Sequence, residues 1–587
     1  MKSFLRRHGF AILLALLVGA LCGAPYVLAS RALGPDDRGL PFLYSDDEDV
    51  YLSRMQEIVD GYPAVGSAYF YEYKDERVAQ LPFGEYVYVA ASRLTGLSLV
   101  QTLIAAKFVL PAILFLLVYA FLLRLLPSES RRLQLAGALA GSLVAVIGFD
   151  FIHVGKYIRL LQGQDIGTRV SLWTRPVNPV LGAIGVFAWL MLIWEAYQRS
   201  RWWVMLLAGA LLGALVFYFF AWGFAISVLA FLGLASLIEK NWARVRDLGL
   251  VLLISFLVSG PYWYSMLASL GNEEGRAFAI RNGMFLTHAP IFNKTLLAGL
   301  VVFLAGSAWI ARRNRDAWKR LVREPWWMMS ASLLLGGLWA FNQQILTGRT
   351  IWPYHFVQYT EPAVIVVCVV IAFRAFAARV PKSAMAGSIL LGSFVLAQAV
   401  AAVGTYRSAM PEFRARQPQA DLYRWFNANA EKDCVVLIAG SDELLVRPLT
   451  AFTHCNLYVV PWVISGVPQE RIFHNFLVFM RFLDVKPEEA EAWLRENHSF
   501  VRGYFYEDWN QMFKTTQDEW SDQKARELSA AYADFTSRPL LAELRKYRLD
   551  YFVTEGPINP ELKTQLDPLV AVETFGSLHL YRWEDAP

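Results

Sequence analysis

The sequence predicts an α-helical, polytopic membrane protein with about eleven transmembrane helices, followed by an α/β domain outside the membrane. Of its 587 residues, 56% are hydrophobic and only 18% are charged, and the mean hydropathy is +0.35. This composition is too apolar for a soluble protein of this length and is typical of membrane proteins. The net charge of +5 does not indicate nucleic-acid binding, because the basic residues lie in short loops between apolar segments.

Eleven apolar segments are long enough to cross a membrane, since a transmembrane helix needs about 20 mostly apolar residues. They are 10–30, 98–126, 133–152, 178–197, 203–220, 222–238, 248–267, 295–311, 327–346, 361–380 and 384–404. The fifth and sixth segments are nearly fused, which predicts a tight turn at 217–222. The first segment exceeds the apolar run of a signal peptide, so we expect it to remain as a helix.

Basic residues occupy every second loop, beginning with Lys2, Arg6 and Arg7 before the first segment. If the N-terminus is cytoplasmic, each cytoplasmic loop carries a basic cluster, as the positive-inside rule requires. The sequence therefore predicts a multi-pass protein of the plasma (inner) membrane. The loop 31–97 and all residues after 404 then lie outside the cytoplasm, in the periplasm of a Gram-negative cell. We expect a transmembrane domain at 1–404 and an external domain at 405–587.

The C-terminal region has the alternating pattern of an α/β domain. Residues 422–430 and 487–496 are predicted helices, whereas 434–439, 551–553 and 578–581 are predicted strands. The four cysteines have no metal-binding spacing. Cys434 and Cys455 either form a disulfide in an oxidising compartment or remain two buried thiols.

A run of four acidic residues follows the first segment, in a chain that is otherwise strongly apolar. Clustered carboxylates raise the pKa of at least one member, which suits a general base or a site for Mg²⁺ or Mn²⁺. The alternative is an N-terminal helix cap that begins at Ser45. If the segment is helical, Asp47, Tyr51 and Arg54 share one face. The candidate catalytic residues are Asp46, Asp47, Glu48 and Asp49, and Tyr51 and Arg54 are candidate substrate-binding residues.

The loop 153–177 is basic although it is predicted to lie outside the cytoplasm. Because arginine binds phosphate through a two-pronged contact, this loop is the first candidate site for a phosphorylated lipid. The alternative is salt bridging to the acidic run, and both can hold together. The later outer loop 343–360 adds Arg349 and His355, although a lone histidine more often has a structural role. The candidate binding residues are Lys156, Arg159, Arg169, Arg175, Arg349 and His355.

These features together resemble the GT-C glycosyltransferases, which include oligosaccharyltransferases, protein O-mannosyltransferases and lipid A aminoarabinose transferases. The matching residues are the acidic run 46–49, Tyr51 and Arg54, and the topology matches over the whole chain. The resemblance implies a polyprenyl-phosphate-linked sugar donor, inverting transfer, and a first-loop carboxylate as base or metal ligand. It also implies a second-loop acidic group, for which Asp150 and Asp165 are the candidates. An oligosaccharyltransferase Trp-Trp-Asp signature is absent from the C-terminal region, which leaves the acceptor open.

The sequence therefore predicts a membrane glycosyltransferase. Asp47 or Glu48 would deprotonate an acceptor hydroxyl. An arginine or lysine would stabilise the leaving lipid phosphate, with or without a divalent metal ion. The candidate ligands of that ion are Asp47, Glu48, Asp150 and Asp165. One alternative is a transporter or flippase of lipid-linked sugars. Such proteins favour internal repeats and charged residues near the middle of the membrane. The sequence has no evident repeat and few such charges, of which Lys107 is the main one. A non-enzymatic envelope assembly protein would give no reason for acidic and basic clusters on one membrane face.

Overall fold

The structure, a computed structural model, describes residues 2–43, 47–76, 81–127, 130–148, 171–271, 284–312, 315–377, 380–439, 443–460, 467–498, 501 and 522–583. The N-terminal part is a helical bundle. Its helices are α1 (Lys2–Leu33), α2 (Asp47–Asp60), α3 (Phe83–Thr95), α4 (Leu99–Leu125), α5 (Arg131–Leu143), α6 (Val180–Gln198), α7 (Trp202–Ala214), α8 (Phe219–Ile238), α9 (Trp242–Leu270), α10 (Lys294–Ala311), α11 (Arg315–Leu321), α12 (Pro325–Asn342), α13 (Gln344–Thr347), α14 (Val357–Ala372) and α15 (Pro381–Ala402).

Each of the eleven predicted segments coincides with a helix in the described part of the chain. Eight of these helices are both long and apolar enough to cross a membrane, namely α1, α4, α6, α8, α9, α10, α14 and α15. The other three, α5, α7 and α12, are shorter or less apolar. The predicted tight turn lies between α7 and α8, where a short 3-10 helix spans Leu215–Phe217. The prediction of a polytopic helical protein is confirmed.

The helices α1 and α4 pack closely because glycines face the neighbouring helix. A Cβ atom at Gly19 would lie 2.1 Å from the backbone oxygen of Phe108, and one at Gly23 would lie 2.4 Å from the Phe108 ring. Small residues allow such close approach of helices in membranes, where dispersion contacts rather than hydrophobic burial drive association. This contact brings Tyr26, on α1, next to Lys107, on α4.

The C-terminal part is built on a five-stranded mixed sheet, which confirms the predicted α/β domain. The strands are β3 (Val435–Ile438), β4 (Asn456–Leu457), β5 (Tyr551–Glu555), β6 (Leu569–Phe575) and β7 (Leu578–Trp583). The strand order is β4-β3-β5-β7-β6, with β3 parallel to β4 and β5, and β7 antiparallel to β5 and β6. A separate ribbon in the bundle pairs β1 (Met284–Leu286) with β2 (Arg349–Ile351).

The helices of the C-terminal part surround this sheet. They are α16 (Met410–Arg416), α17 (Gln419–Asn429), α18 (Glu443–Phe452), α19 (Gln469–Phe482), α20 (Ala490–Glu496), α21 (Asp522–Ser537), α22 (Leu540–Leu544) and α23 (Pro560–Gln565). A disulfide joins Cys434, which directly precedes β3, to Cys455, which directly precedes β4. Of the two alternatives left open by the sequence, the structure contains the disulfide.

The first long loop of the bundle docks onto the C-terminal domain. Ser53 of α2 and Thr450 of α18 share a hydrogen bond of 2.8 Å between their hydroxyl oxygens. Tyr69 and Phe70 belong to the hydrophobic core of the domain, and the backbone N–H of Leu457 donates to the Tyr69 carbonyl at 2.8 Å. The acidic helix α2 and the C-terminal domain therefore lie at the same end of the bundle, as the predicted topology requires.

A buried group of charges strengthens this docking. Lys74, only 2% exposed, pairs with Asp433 of the domain and with Glu57 of α2, the latter at 3.2 Å. Burial raises the pKa of Glu57 to about 7, although Lys74 opposes the shift. Burial also acts to raise the pKa of Asp433, but hydrogen bonds from Lys74 and Tyr62 outweigh it and the pKa is lowered. These contacts fix the C-terminal end of α2 on the domain.

Candidate active site

The first turn of α2 holds Asp47, Glu48 and Asp49, where negative charge is favoured by the helix dipole. Asp47 forms an ion pair with Arg175, and the two side chains are 38% and 25% exposed. This is the salt bridge between the acidic run and the second loop that the sequence left open as an alternative. Because both side chains are only partly covered, a ligand can reach the carboxylate and the guanidinium at the same place.

The neighbouring carboxylate, Glu48, is fully buried. Its Oε1 accepts hydrogen bonds from Lys107 Nζ and, at 3.1 Å, from the Tyr26 hydroxyl. Lys107 Nζ also donates to the Thr174 carbonyl at 2.9 Å and lies 3.8 Å from the centroid of the Tyr26 ring. A buried charge of this kind needs both a counter-charge and hydrogen bonds. Glu48 therefore connects α2 to α1, to α4 and to the segment that carries Arg175.

The segment around Arg175 is held firmly on both sides. The Trp173 indole N–H donates to the Val146 carbonyl at 2.6 Å, and the Val177 N–H donates to the Tyr88 hydroxyl at 3.2 Å. Val177 has φ = 58°, a conformation that is rare for a β-branched residue. Such strain persists only where the surroundings impose it, and it is frequent at functional sites. The fold thus fixes the backbone on either side of the guanidinium.

The remaining predicted residues of α2 have structural contacts. The Asp49 carboxylate accepts the Val50 N–H at 2.9 Å. Arg54 Nε donates to Glu85 of α3 at 2.5 Å, and this pair is largely buried. Burial acts to lower the pKa of Arg54, but the Glu85 carboxylate outweighs it and the pKa is raised. We assign Arg54 to holding α3 against α2, and its predicted contact with substrate remains untested.

Tyr51 lies on the side of α2 that faces the bundle. Burial raises the pKa of its hydroxyl, and the charges or dipoles of Tyr218 and Glu85 act in the same direction. The nearby Asn178 side chain opposes this shift. Tyr51 packs against the hydrophobic cluster that contains Val177, so it lies close to the residues immediately after Arg175.

His355 lies within an aromatic cluster that we define as Tyr218, Phe220, Trp352 and Tyr354. The Tyr218 hydroxyl is 3.2 Å from His355 Nδ1, and the Phe220 ring lies edge-on to the imidazole at 4.8 Å. The charge of Arg175 acts electrostatically on Tyr218, Tyr354 and His355. The structure therefore brings the predicted residues Asp47, Arg175 and His355 into one region.

Arg349 is exposed at the start of β2, and its carbonyl accepts hydrogen bonds from the side chains of Gln343 and Thr347. Six other predicted site residues lie outside the described residues, namely Asp46, Asp150, Lys156, Arg159, Asp165 and Arg169.

The predicted Mg²⁺ or Mn²⁺ site stays a prediction, because two of its four predicted ligands, Asp150 and Asp165, lie outside the described residues. The other two, Asp47 and Glu48, pair with different cations, Arg175 and Lys107. In the described part of the chain, one group of potential ligands comes together, formed by Cys434, His454 and Cys455, whose ligand atoms lie within 4.8 Å of one another. The two cysteines are joined in a disulfide, so neither offers the thiolate that binds metals.

The structure is that of a polytopic membrane protein in which a carboxylate and a guanidinium form an ion pair, and the helix that carries the carboxylate packs against an α/β domain. Its structural neighbours include the arabinofuranosyltransferase AftD from Mycobacteria, with 14% identity, a TM-score of 0.48, and coverage of 98% of this chain but only 40% of AftD. ArnT from Cupriavidus metallidurans, bound to undecaprenyl phosphate, matches with 13% identity, a TM-score of 0.42 and 98% coverage of each chain.

The oligosaccharyltransferase AglB from Archaeoglobus fulgidus, in complex with an inhibitory peptide and a dolichol-phosphate, matches with 14% identity and a TM-score of 0.45, covering 93% of this chain and 69% of AglB. These neighbours are GT-C glycosyltransferases, the group that the sequence resembles. No protein-family model and no curated protein sequence matches the chain. At these identities and TM-scores the likeness alone assigns no function.

Sequence reasoning did not find the partners of Glu48. Lys107 was recognised as the main charge within the apolar segments, and an ionisable residue in a membrane helix needs a partner. The sequence therefore indicated that Lys107 has an acidic partner. It did not show that the partner is Glu48, because that pairing depends on the packing of α2 against α4. Tyr26, Thr174 and Tyr218 gave no signal of their own, since tyrosine and threonine are common at membrane interfaces.

Proposed function

We propose that this chain is an integral membrane glycosyltransferase that moves a sugar from a polyprenyl-phosphate-linked donor to an acceptor on the extracytoplasmic face. The observation that carries the proposal is the partly exposed ion pair between Asp47 and Arg175. Transfer from a lipid phosphate needs a base for the acceptor and a cation for the leaving group, and this pair supplies both at one position.

In the proposed reaction Asp47 accepts the proton of the acceptor hydroxyl as the hydroxyl oxygen attacks the anomeric carbon. The bond between that carbon and the phosphate oxygen breaks, and the phosphate leaves with the electron pair. Arg175 stabilises the resulting negative charge through a two-pronged contact. Attack from the face opposite the leaving group inverts the anomeric configuration.

The ion pair between Asp47 and Arg175 implies that the donor binds before Asp47 acts as a base. While Arg175 neutralises Asp47, the carboxylate is a weak base, because a nearby cation favours its charged form. A donor phosphate competes for the same guanidinium, since it is also an anion with two oxygens to offer. Binding of the donor therefore releases Asp47, and the base becomes active only when the leaving group is in place.

Glu48 has a supporting role in this proposal. Its carboxylate is fully buried and bound by Lys107 and Tyr26, so it cannot meet an acceptor without breaking a buried ion pair. It holds the first turn of α2, and with it Asp47, against the bundle.

The proposed membrane is the plasma (inner) membrane, with the N-terminus in the cytoplasm and the C-terminal domain outside it. The basic loops support this orientation through the positive-inside rule. The disulfide of the domain supports it as well, because disulfides persist in oxidising compartments. The donor class follows from the resemblance of the sequence, and lipids of that class are bound in the ArnT and AglB structures.

Replacing Arg175 tests the phosphate contact. A hydrogen bond to a charged group contributes about 1.5–3 kcal/mol, so Arg175→Ala is expected to weaken binding of a short-chain polyprenyl-phosphate sugar by roughly 10–150-fold. Arg175→Lys should recover only part of this affinity, because an ammonium cannot make the two-pronged contact. Binding is measured with purified protein in nanodiscs.

Arg414→Ala is the matched control. Arg414 pairs with Asp36 at 2.9 Å in an exposed ion pair at the same end of the bundle, with 55% and 54% of the side chains exposed. Its loss should leave donor affinity within about twofold, since exposed ion pairs contribute little. Equal donor affinity in wild type and Arg175→Ala would contradict the assignment of the phosphate site.

A further inference from the structure

We propose that His355 and the aromatic cluster form the subsite for the sugar ring of the donor, with Trp352 and Tyr354 as the stacking surface and His355 Nε2 as a hydrogen-bond acceptor for a sugar hydroxyl. This inference rests on the proposed function and assigns residues that recognise the group being transferred.

The rings of the cluster form a corner of flat surfaces. Trp352 is stacked on the imidazole of His355, with centroids 5.9 Å apart and planes inclined by 26°. Tyr354 meets both rings edge-on, at 5.7 Å from Trp352 and 4.8 Å from His355. Tyr354 is 37% exposed, whereas Trp352 and His355 are half-buried, so a ligand can reach the corner from the Tyr354 side. Pyranose rings present apolar C–H faces beside polar hydroxyls, and a surface of aromatic rings with a few polar groups matches that pattern.

The hydrogen bonds of the cluster set the tautomer of His355. The Tyr218 hydroxyl donates its proton to Gln358 Oε1 at 3.3 Å. Its oxygen is also 3.2 Å from His355 Nδ1, and with the Tyr218 proton directed at Gln358 this second hydrogen bond is donated by Nδ1. In the neutral imidazole, Nε2 is then an acceptor. No hydrogen-bond partner of Nε2 lies within the described residues, which leaves it available to a donor hydroxyl.

The position of the cluster follows from the chemistry of the donor. The sugar is bonded directly to the phosphate, so its ring must lie beside whichever cation holds the phosphate. Tyr218 of the cluster packs against Tyr359, with ring centroids 6.0 Å apart, and the Tyr359 hydroxyl donates to the Pro179 carbonyl at 3.4 Å. Pro179 follows Arg175 by four residues, so the aromatic cluster lies beside the segment that carries Arg175, where the ring of a donor bound to this guanidinium would lie.

The backbone of Trp352 has a strained conformation. Trp352 adopts φ = 34° and ψ = 58°, in the left-handed region, immediately before Pro353. For a bulky residue this conformation is strained and persists only where the surroundings impose it. Glycine would adopt this conformation without strain, but it has no side chain to stack on His355. The fold thus keeps a strained tryptophan at a position where its indole ring faces the imidazole.

The test compares two lipids, a polyprenyl-phosphate sugar and the same polyprenyl phosphate without sugar, on purified protein in nanodiscs. Trp352→Leu and Tyr354→Leu are each expected to weaken binding of the sugar-bearing lipid by about tenfold, the loss expected for an aromatic contact. Binding of the sugarless lipid should stay within about twofold, which also reports that the variants are folded. Trp339→Leu, at a tryptophan that is 41% exposed on α12, is the control and should change neither affinity.

The outcomes separate this inference from the proposed function. Equal losses for both lipids would mean that Trp352 and Tyr354 have only a structural role, and unchanged affinity for both would place the sugar elsewhere. Either result overturns the subsite while leaving the phosphate site at Arg175 intact. If wild-type protein binds neither lipid, the proposed function fails and the subsite fails with it.

Discussion

Asp47→Asn is expected to lower the rate of sugar transfer by about 10²–10⁴-fold, the usual contribution of a general base. Asparagine keeps the shape of the side chain but cannot accept the proton of the acceptor hydroxyl. The loss of the partly exposed ion pair with Arg175 should cost at most about 1 kcal/mol of stability. Donor binding should persist or tighten, because Arg175 no longer has a competing carboxylate. The change should therefore appear in kcat rather than in the KM for the donor.

Asp49→Asn is the matched control for this variant, since it makes the same change on the same helical turn. The carboxylate of Asp49 accepts the Val50 N–H, and the oxygen of an asparagine side chain can accept the same hydrogen bond. Its activity should stay within about threefold of wild type, well below the effect of losing a base. Transfer assays on the two variants decide between catalysis and helix capping. Similar activity in Asp47→Asn and wild type would mean that the acidic run serves only to cap α2.

Lys107→Met is expected to destabilise the protein by about 3–5 kcal/mol, because it leaves the buried carboxylate of Glu48 without a counter-charge. Adding Glu48→Gln in the same chain should recover most of this loss, since the buried negative charge is then removed as well. Thermal unfolding of the purified variants in detergent measures both effects. If the double variant is as unstable as Lys107→Met alone, the destabilisation comes from lost packing around the lysine side chain and not from the unpaired charge.

The helices of the bundle could be predicted from the sequence because each one is a continuous apolar run, and that property is local. The same holds for β3, β5 and β7, whose hydrophobic runs were recognised. β4 was missed because it has only two residues, Asn456 and Leu457. β6 was missed because most of its residues are exposed or half-buried, so it lacks a strong apolar pattern.

The candidate site was predictable in part. The acidic run was predicted as a candidate site, and a salt bridge to it from the second loop was one of two alternatives, because opposite charges concentrate on one predicted membrane face. The identity of the partners was not, because they depend on tertiary packing across long stretches of chain. Glu48 and Lys107 are 59 residues apart, and Tyr218 and His355 are 137 residues apart. Arg54 was predicted near the substrate from helical spacing and from the resemblance to GT-C enzymes, and that contact stays a prediction. Its pairing with Glu85 of α3 could not be predicted, because it depends on tertiary packing.

In the proposed reaction, a lipid phosphate binds Arg175 and places the anomeric carbon of its sugar beside Asp47. An electron cryo-microscopy structure in nanodiscs with a non-hydrolysable polyprenyl-phosphate sugar measures this directly. We expect the phosphate within hydrogen-bond distance of the Arg175 guanidinium and the Asp47 carboxylate released toward the anomeric carbon. We also expect the lipid headgroup at the end of the bundle that carries the C-terminal domain. A phosphate held at the opposite end of the bundle, with the ion pair between Asp47 and Arg175 intact, would contradict this proposal.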